Sequence, residues 1–314
     1  MWGSSEKQVN RLFNEVMNGI DYSRDEAKSL AREVGAKTFK DVSKLTDIYS
    51  YKTAETYLPY WKNLADFARQ NKGVKDIENI SNRTVKEFLQ KKFHDVSCKS
   101  SYAKISSAIS KMEYALNRYT SISESGKSYD WSKIISNQKT ISNEKLSDSI
   151  SGRGFRESMK VVEKIEKLDH KLAAKIQCEG GTRISESTHI KAEQLRGMGK
   201  DPYNAEDRGV VKIQGKGGAV REIYLSPKTY KELSDHLKKN STFHVSNRSY
   251  TDSIKEAAAR AGQAYTGTHD FRHTWAQNRF KELADLGYGE RQCLAGVSVD
   301  IGHVRPDITE VYLK

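Results

Sequence analysis

Thr268-His269-Asp270-Phe271-Arg272-His273-Thr274-Trp275 sets two imidazoles, a guanidinium and two large aromatic rings on neighbouring positions. His269 and Arg272 stand three apart, so on a helix they share a face and can meet one anion together. Phe271 and Trp275, four apart, would anchor the opposite, buried side. His273 fits a polar core position equally well and receives no role. The apolar period predicts a helix over 270–286 and another near 289–296. Beyond them come Gly302-His303 and, nine positions after that histidine, Tyr312, on a short helix begun by Arg305-Pro306. A tyrosine so placed ordinarily packs or does nothing.

Toward the N-terminus, helices are predicted near 227–239 and 248–261. Before them, residues 209–214 and 219–225 alternate apolar and polar positions around Gly215-Lys216-Gly217-Gly218, the pattern of a β-hairpin. The glycines supply the positive φ angles of a tight turn and leave Lys216 projecting from its tip. Most such lysines are merely solvated, and a phosphate-cradling P-loop is excluded because its GK[ST] spacing is missing. Farther back, Gly180-Gly181-Thr182-Arg183-Ile184-Ser185-Glu186 breaks one helix and opens another with an arginine. Taken singly, Arg183 is a surface residue at a helix start. Two more helices, near 155–168 and 169–179, precede it.

Residues 121–154 recur in serine and sustain no apolar period, which reads as a linker. The first third is helical by pattern. Val9, Leu12, Phe13, Val16, Met17 and Ile20 form one stripe, and Ser23 with Glu26 forms a capping box for a second helix. A third runs over 51–70, with Pro59 expected to kink it or to mark its true start. Two more follow over 83–93 and 100–119. Their apolar stripes are ordinary core, whereas Lys92, Lys99, Lys104, Lys111 and Arg118, among serines and aromatics, would suit contact with phosphates. The expected division is a helical N-terminal extension (1–44), a helical domain (45–120), the linker (121–154) and a second domain (155–314).

The chain has 314 residues, with 53 Lys+Arg against 41 Asp+Glu and a formal net charge of +12. Sixteen tyrosines, nine phenylalanines and four tryptophans argue against disorder, and only four prolines argue against a loop-heavy all-β fold. No apolar run is long enough to span a membrane, and Met1-Trp2-Gly3-Ser4-Ser5 lacks the apolar stretch of a secretory signal. Cys98, Cys178 and Cys293 form neither a disulfide framework nor a metal knuckle. A soluble, cytoplasmic protein is expected. Its basicity suggests a polyanionic partner, with excess lysine serving only solubility as the bland alternative.

Read in order, Arg183, Lys216, His269 with Arg272, Gly302-His303 and Tyr312 resemble the catalytic signature of the tyrosine recombinase, or phage integrase, family. The resemblance covers about 150–314 through these motifs. It extends to about 45–120, where the helical pattern is similar to the family's core-binding domain; residues 1–40 carry no family motif. It implies a mainly α fold with a small antiparallel β-sheet, in which a helical, SAM-like core-binding domain and a catalytic domain clamp DNA.

The resemblance also implies site-specific cleavage and rejoining of DNA through a 3′-phosphotyrosine, in integration, excision or dimer resolution. Tyr312 would be the nucleophile, Arg183 and Arg272 forks on the non-bridging phosphate oxygens, and His303 a further donor to them. Lys216 would protonate the leaving 5′-oxygen, His269 would assist proton transfer at Tyr312 or hold the pocket, and Glu186 would orient Arg183. Neither metal nor nucleotide cofactor is expected. The implied partners are double-stranded DNA bearing specific sites and further copies of the chain, two per site and four per synapse, without a membrane; the implied location is the nucleoid.

Two other activities share parts of this pattern. A type IB topoisomerase uses the same Arg/Lys/Arg/His/Tyr logic, but the His303-to-Tyr312 spacing and the separate helical first domain favour a recombinase. A DNA-binding architectural protein with a degenerate site is disfavoured because every catalytic position is filled.

Overall fold

The computed structural model of the chain describes residues 1–147, 152–215, 218–303 and 309–313. They divide into two compact units, Met1–Ser149 and Ile150–Lys314.

The first unit is built of helices α1 (Ser5–Val16), α2 (Arg24–Glu33), α3 (Phe39–Leu45), α4 (Tyr51–Lys72), α5 (Asn82–His94), α6 (Lys99–Ile122) and α7 (Ser132–Lys145). Side chains of Ser4, Ser23, Thr38, Ser50 and Ser81 cap α1 to α5 by accepting from backbone N–H groups that the helices leave open. Pro59 lies within α4, eight residues after its start, so it does not mark the helix boundary. The core is filled by Leu12, Met17, Trp61, Leu64, Phe88, Leu89, Ile109, Met112 and Leu116. Trp61 Nε1 donates to Ala108 O at 2.7 Å, tying α4 to α6.

Three expectations change here. The first 44 residues are no separate extension: α1 packs on α4 and α6, and Val9, Leu12 and Phe13 join the common core. Gln8 pins α1 further, donating to Gly3 O and Lys75 O while accepting from Ile77 N. Within 121–154, the middle of the expected linker is α7, with Trp131 and Ile135 in the same core. Its inward stripe runs Trp131, Ile135, Gln138, Ser142, so two of four buried positions are polar and the apolar period disappears from the sequence.

Two of the basic residues expected at phosphates are also engaged otherwise. Most of the circumference of α6 is covered, so Lys111 has no solvent face. Its Nζ donates to Ser43 O and Thr46 O, both at 2.6 Å, at the C-terminal end of α3, where a cation is favoured. Burial, reinforced by Arg118, pulls its ammonium down to about 8. Arg118 is held by Asp47 and Val16 O. Lys92 pairs with Asp95, Lys104 is exposed, and Lys99 opens α6 half-buried. Lys111→Met is expected to cost about 1–3 kcal/mol in urea unfolding, by stranding two carbonyls, and to leave DNA affinity unchanged.

The second unit mixes helices with two small sheets. Its elements are α8 (Ser158–Glu163), α9 (Leu168–Gly180), α10 (Ile184–Ser187), β1 (His189–Lys191), β2 (Leu195–Lys200), β3 (Asp207–Gln214), β4 (Val220–Leu225), α11 (Pro227–Asn240), β5 (Thr242–His244), α12 (Asn247–Arg260), α13 (Asp270–Asp285), α14 (Glu290–Asp300) and α15 (Glu310–Leu313). Strands β2-β3-β4 form an antiparallel sheet whose hairpin pairs Gly209 with Leu225 through to Gln214 with Val220. This is the expected hairpin. The added edge strand β2 carries no β signal: Leu-Arg-Gly-Met-Gly-Lys is largely exposed and shifts register between Leu195 and Met198. Strand β1 pairs with β5. The core gathers Ile176, Val211, Ile213, Ile223, Leu225, Phe243, Tyr250 and Phe271. Among the described residues, no helix is long and apolar enough to cross a membrane.

Candidate active site

Arg183 caps the one-turn α10, directly after the glycine break that ends α9. Gly181 has φ +57°, and a Cβ there would lie 2.6 Å from the Trp275 ring, so the break and the packing of α13 require glycine together. Trp275 Nε1 donates to Glu179 O at 2.7 Å, fixing α13 against the end of α9. One turn earlier on α13, Arg272 is fully buried. Its Nη1 donates to Gly181 O at 2.7 Å and its Nη2 to Ile301 O, so one guanidinium joins the Arg183 loop to the end of α14. The third nitrogen, Nε, is buried without a hydrogen-bond partner among the described residues. Burial pulls this guanidinium down to about 10, with the Tyr312 phenol pulling the other way.

Tyr312 and His303 complete the cluster. The Tyr312 ring is buried in α15, its centroid 5.4 Å from the Arg272 guanidinium carbon and 4.6 Å from the His273 ring. Gln277 Nε2 donates to both Arg153 O and Tyr312 O, which anchors α15 to α13. Tyr312 Oη lies 3.4 Å from His303 Nε2, and Arg272 Nη2 lies 3.3 Å from the same nitrogen. A guanidinium only donates, so His303 Nε2 accepts and the ring proton sits on Nδ1. Burial, then Arg272, Arg183 and Arg221, push His303 down to about 4, so it is neutral at physiological pH. His269 is lowered too, by burial first and then by Arg272, Arg183 and Arg153.

Glu186 holds Arg183 from behind: its Oε1 accepts from Arg183 Nη1 at 2.9 Å and its Oε2 from the backbone N–H at 2.8 Å. Burial raises this carboxyl, but the hydrogen bonds and charges of Arg221 and Arg183 overcome that and hold it at about 2. Arg272, His303 and Tyr312 therefore form one contact cluster, Glu186 holds Arg183 beside it, and His269 lies within electrostatic reach of both arginines. Lys216 lies outside the described residues. The hairpin root approaches the cluster: a Cβ on Gly215 would sit 3.1 Å from Glu186 Oε1.

Sequence reasoning overlooked two members. His273, which received no role, stacks on Tyr312, and burial pushes it down to about 4. Arg221 of β4 donates to both oxygens of Glu186. Its signal was present. Arg221, Ile223 and Leu225 alternate onto one strand face, so a charged residue stands among inward positions. Among the described residues, no three His, Cys, Asp or Glu side chains are grouped to hold a metal ion.

No protein-family model matches the chain, and no curated protein matches it in sequence. Solved structures do. The XerH site-specific recombinase bound to its difH substrate, in a pre-cleavage complex, superposes with a TM-score of 0.61 at 16% identity, covering 98% of this chain and 90% of that one. XerH on a palindromic difH substrate, after cleavage, gives 0.59 at 16% identity, over 99% and 90%. A lambda integrase dimer bound to a COC′ core site gives 0.55 at 14% identity, over 92% and 75%. At such identities the likeness is one of architecture, and the chain has the fold of the tyrosine recombinases.

Proposed function

We propose that this chain is a site-specific tyrosine recombinase, which cuts and rejoins DNA strands through a 3′-phosphotyrosine. The observation that carries the reading is the convergence of Tyr312 Oη, His303 Nε2 and the Arg272 guanidinium in a pocket shared with Arg183. A phenol beside a neutral imidazole and two arginines suits in-line attack on a phosphodiester. Tyr312 Oη attacks phosphorus, its proton passes to His303 Nε2, and the bond to the 5′-oxygen breaks. The resulting imidazolium and the two arginines face the charge on the non-bridging oxygens. Lys216 supplies the proton to the leaving 5′-oxygen. A 5′-hydroxyl from another strand then displaces Tyr312, so the ester is remade without an external energy source.

The same reading carries the partners. Double-stranded DNA with specific sites is the substrate, two copies of the chain occupy a site, and four form the synapse. The solved neighbours were captured on DNA, one of them as a dimer. Integration, excision and dimer resolution all use this chemistry, and a mobile element is a natural home for it.

The test is covalent capture. The chain is incubated in chelator with nicked duplexes of randomised sequence, protein-bound strands are isolated under denaturing conditions, and the adducted residue is mapped. A phosphotyrosine at 312 on a recurring sequence is expected; an adduct elsewhere, or none across the pool, overturns the proposal.

The depressed histidines add a pH signature. At subsaturating DNA the rate reports the free protein, so His303 should stay active as a base far below the ordinary 6.5 and fail only near about 4. A rate that already halves near 6.5 would remove His303 from that role.

A further inference from the structure

We propose that Arg221 is a positioning residue that presets the Arg183 guanidinium and the His303 segment for an oxyanion. For the reaction it serves, the inference rests on the recombinase reading; its geometry does not depend on it. Arg221 Nη2 donates to Glu186 Oε2 at 2.7 Å and Nη1 reaches Glu186 Oε1 at 3.3 Å, while Nε donates to Asp300 O at 2.9 Å. The Arg221 and Glu186 side chains are only 8% and 4% exposed, against 20% for Arg183. Glu186 is thus clamped rigidly from one side by Arg221, and the carboxylate in turn sets the direction of the more open Arg183. A planar fork fixed at two ends tolerates little rotation.

The other end of Arg221 acts on His303. Asp300 O is one of the carbonyls left open where α14 ends, and a guanidinium is the favoured partner there. Gly302 follows with φ +68°, and a Cβ there would lie 3.2 Å from Arg221 Cδ, so the chain folds directly over this side chain before presenting His303. The clip is backed from behind. Arg279 donates to the Asp300 carboxylate at 3.1 Å, to Asp201 at 2.9 and 3.0 Å and to Glu282 at 2.7 Å. One side chain on β4 therefore links three parts that lie far apart in sequence: Arg183 through Glu186, His303 through Asp300 and Gly302, and the strand leaving the Lys216 turn.

The experiment uses the full chain, with inorganic phosphate as probe and the Nε–Hε signals of Arg183 and Arg272 followed by NMR. Arg221→Lys keeps the charge but loses the fork. A second variant, Arg221→Gln, leaves Glu186 in place, so a change in the Arg183 signal is referred to position 221 and not to the carboxylate that holds Arg183. In the unsubstituted chain a single sharp Arg183 signal that shifts with phosphate is expected. In both variants that signal should broaden and phosphate affinity should fall by about tenfold, while the lysine variant keeps a single cooperative melting transition. On any duplex that the parent attacks, the adduct rate at saturating DNA should fall while the DNA concentration for half-maximal rate holds.

Unchanged Arg183 signals and phosphate affinity in both variants would overturn the role of Arg221. So would an Arg183 signal that ignores phosphate in the parent. Absence of any adduct from the parent sinks the recombinase reading instead, and leaves the phosphate measurements to decide on Arg221.

Discussion

Tyr312→Phe is expected to bind duplex DNA as tightly as the parent and to form no covalent adduct. The ring is buried against His273 and faces the Arg272 guanidinium, and phenylalanine preserves both contacts. What disappears is one oxygen, 3.4 Å from His303 Nε2. Loss of a nucleophile lowers a single-turnover rate by about 10⁴-fold or more, which is complete loss in a gel-based trapping assay. Denaturing electrophoresis of the trapped complex checks the chemistry, and a filter or anisotropy titration checks the binding. An adduct formed by the phenylalanine variant would assign the nucleophile to another residue. Weakened binding without the hydroxyl would give Tyr312 a part in holding DNA.

Arg272 should show the second large effect, and a mixed one. Its guanidinium faces the pocket and also donates to Gly181 O and Ile301 O. Arg272→Lys keeps one charge but cannot span both carbonyls and a phosphate oxygen at once, so the adduct rate should fall by about 10³-fold with little change in DNA affinity. Arg272→Ala should lose the activity altogether and also about 2 kcal/mol of stability, because two buried carbonyls lose their donor. Single-turnover trapping beside urea unfolding separates the two losses. A lysine variant that cleaves at the parental rate would show that a point charge suffices and that the fork is idle.

Sequence and structure agree where chemistry and period coincide. The hairpin and α13 are legible because glycines, alternation and helical spacing each have a local cause, whereas the series Arg183, His269, Arg272, His303, Tyr312 is readable only as a resemblance to a family signature, since each residue taken singly is ordinary. The misreadings share one cause as well. In α7 the inward face includes Gln138 and Ser142, and on α6 Lys111 points inward to two carbonyls, so burial and polarity part company. Arg221 is the same case on a strand. A polar residue on an inward face is invisible to a hydrophobic count, yet it is informative once the face is known. The role of His273 depends on contact with α15, 39 positions later in the chain, which no local pattern reports.

The double duty of Arg272 bears on how such a protein can decay. A lineage that no longer needed to cut DNA could shed the Tyr312 oxygen and remain a folded binder, since the ring would still fill its place. Drift at Arg272 would instead loosen the joint between the α9 break and the end of α14. Inactive descendants of this chain should therefore be found with a silenced tyrosine and an intact arginine, so a preserved arginine is poor testimony that a relative is still an enzyme.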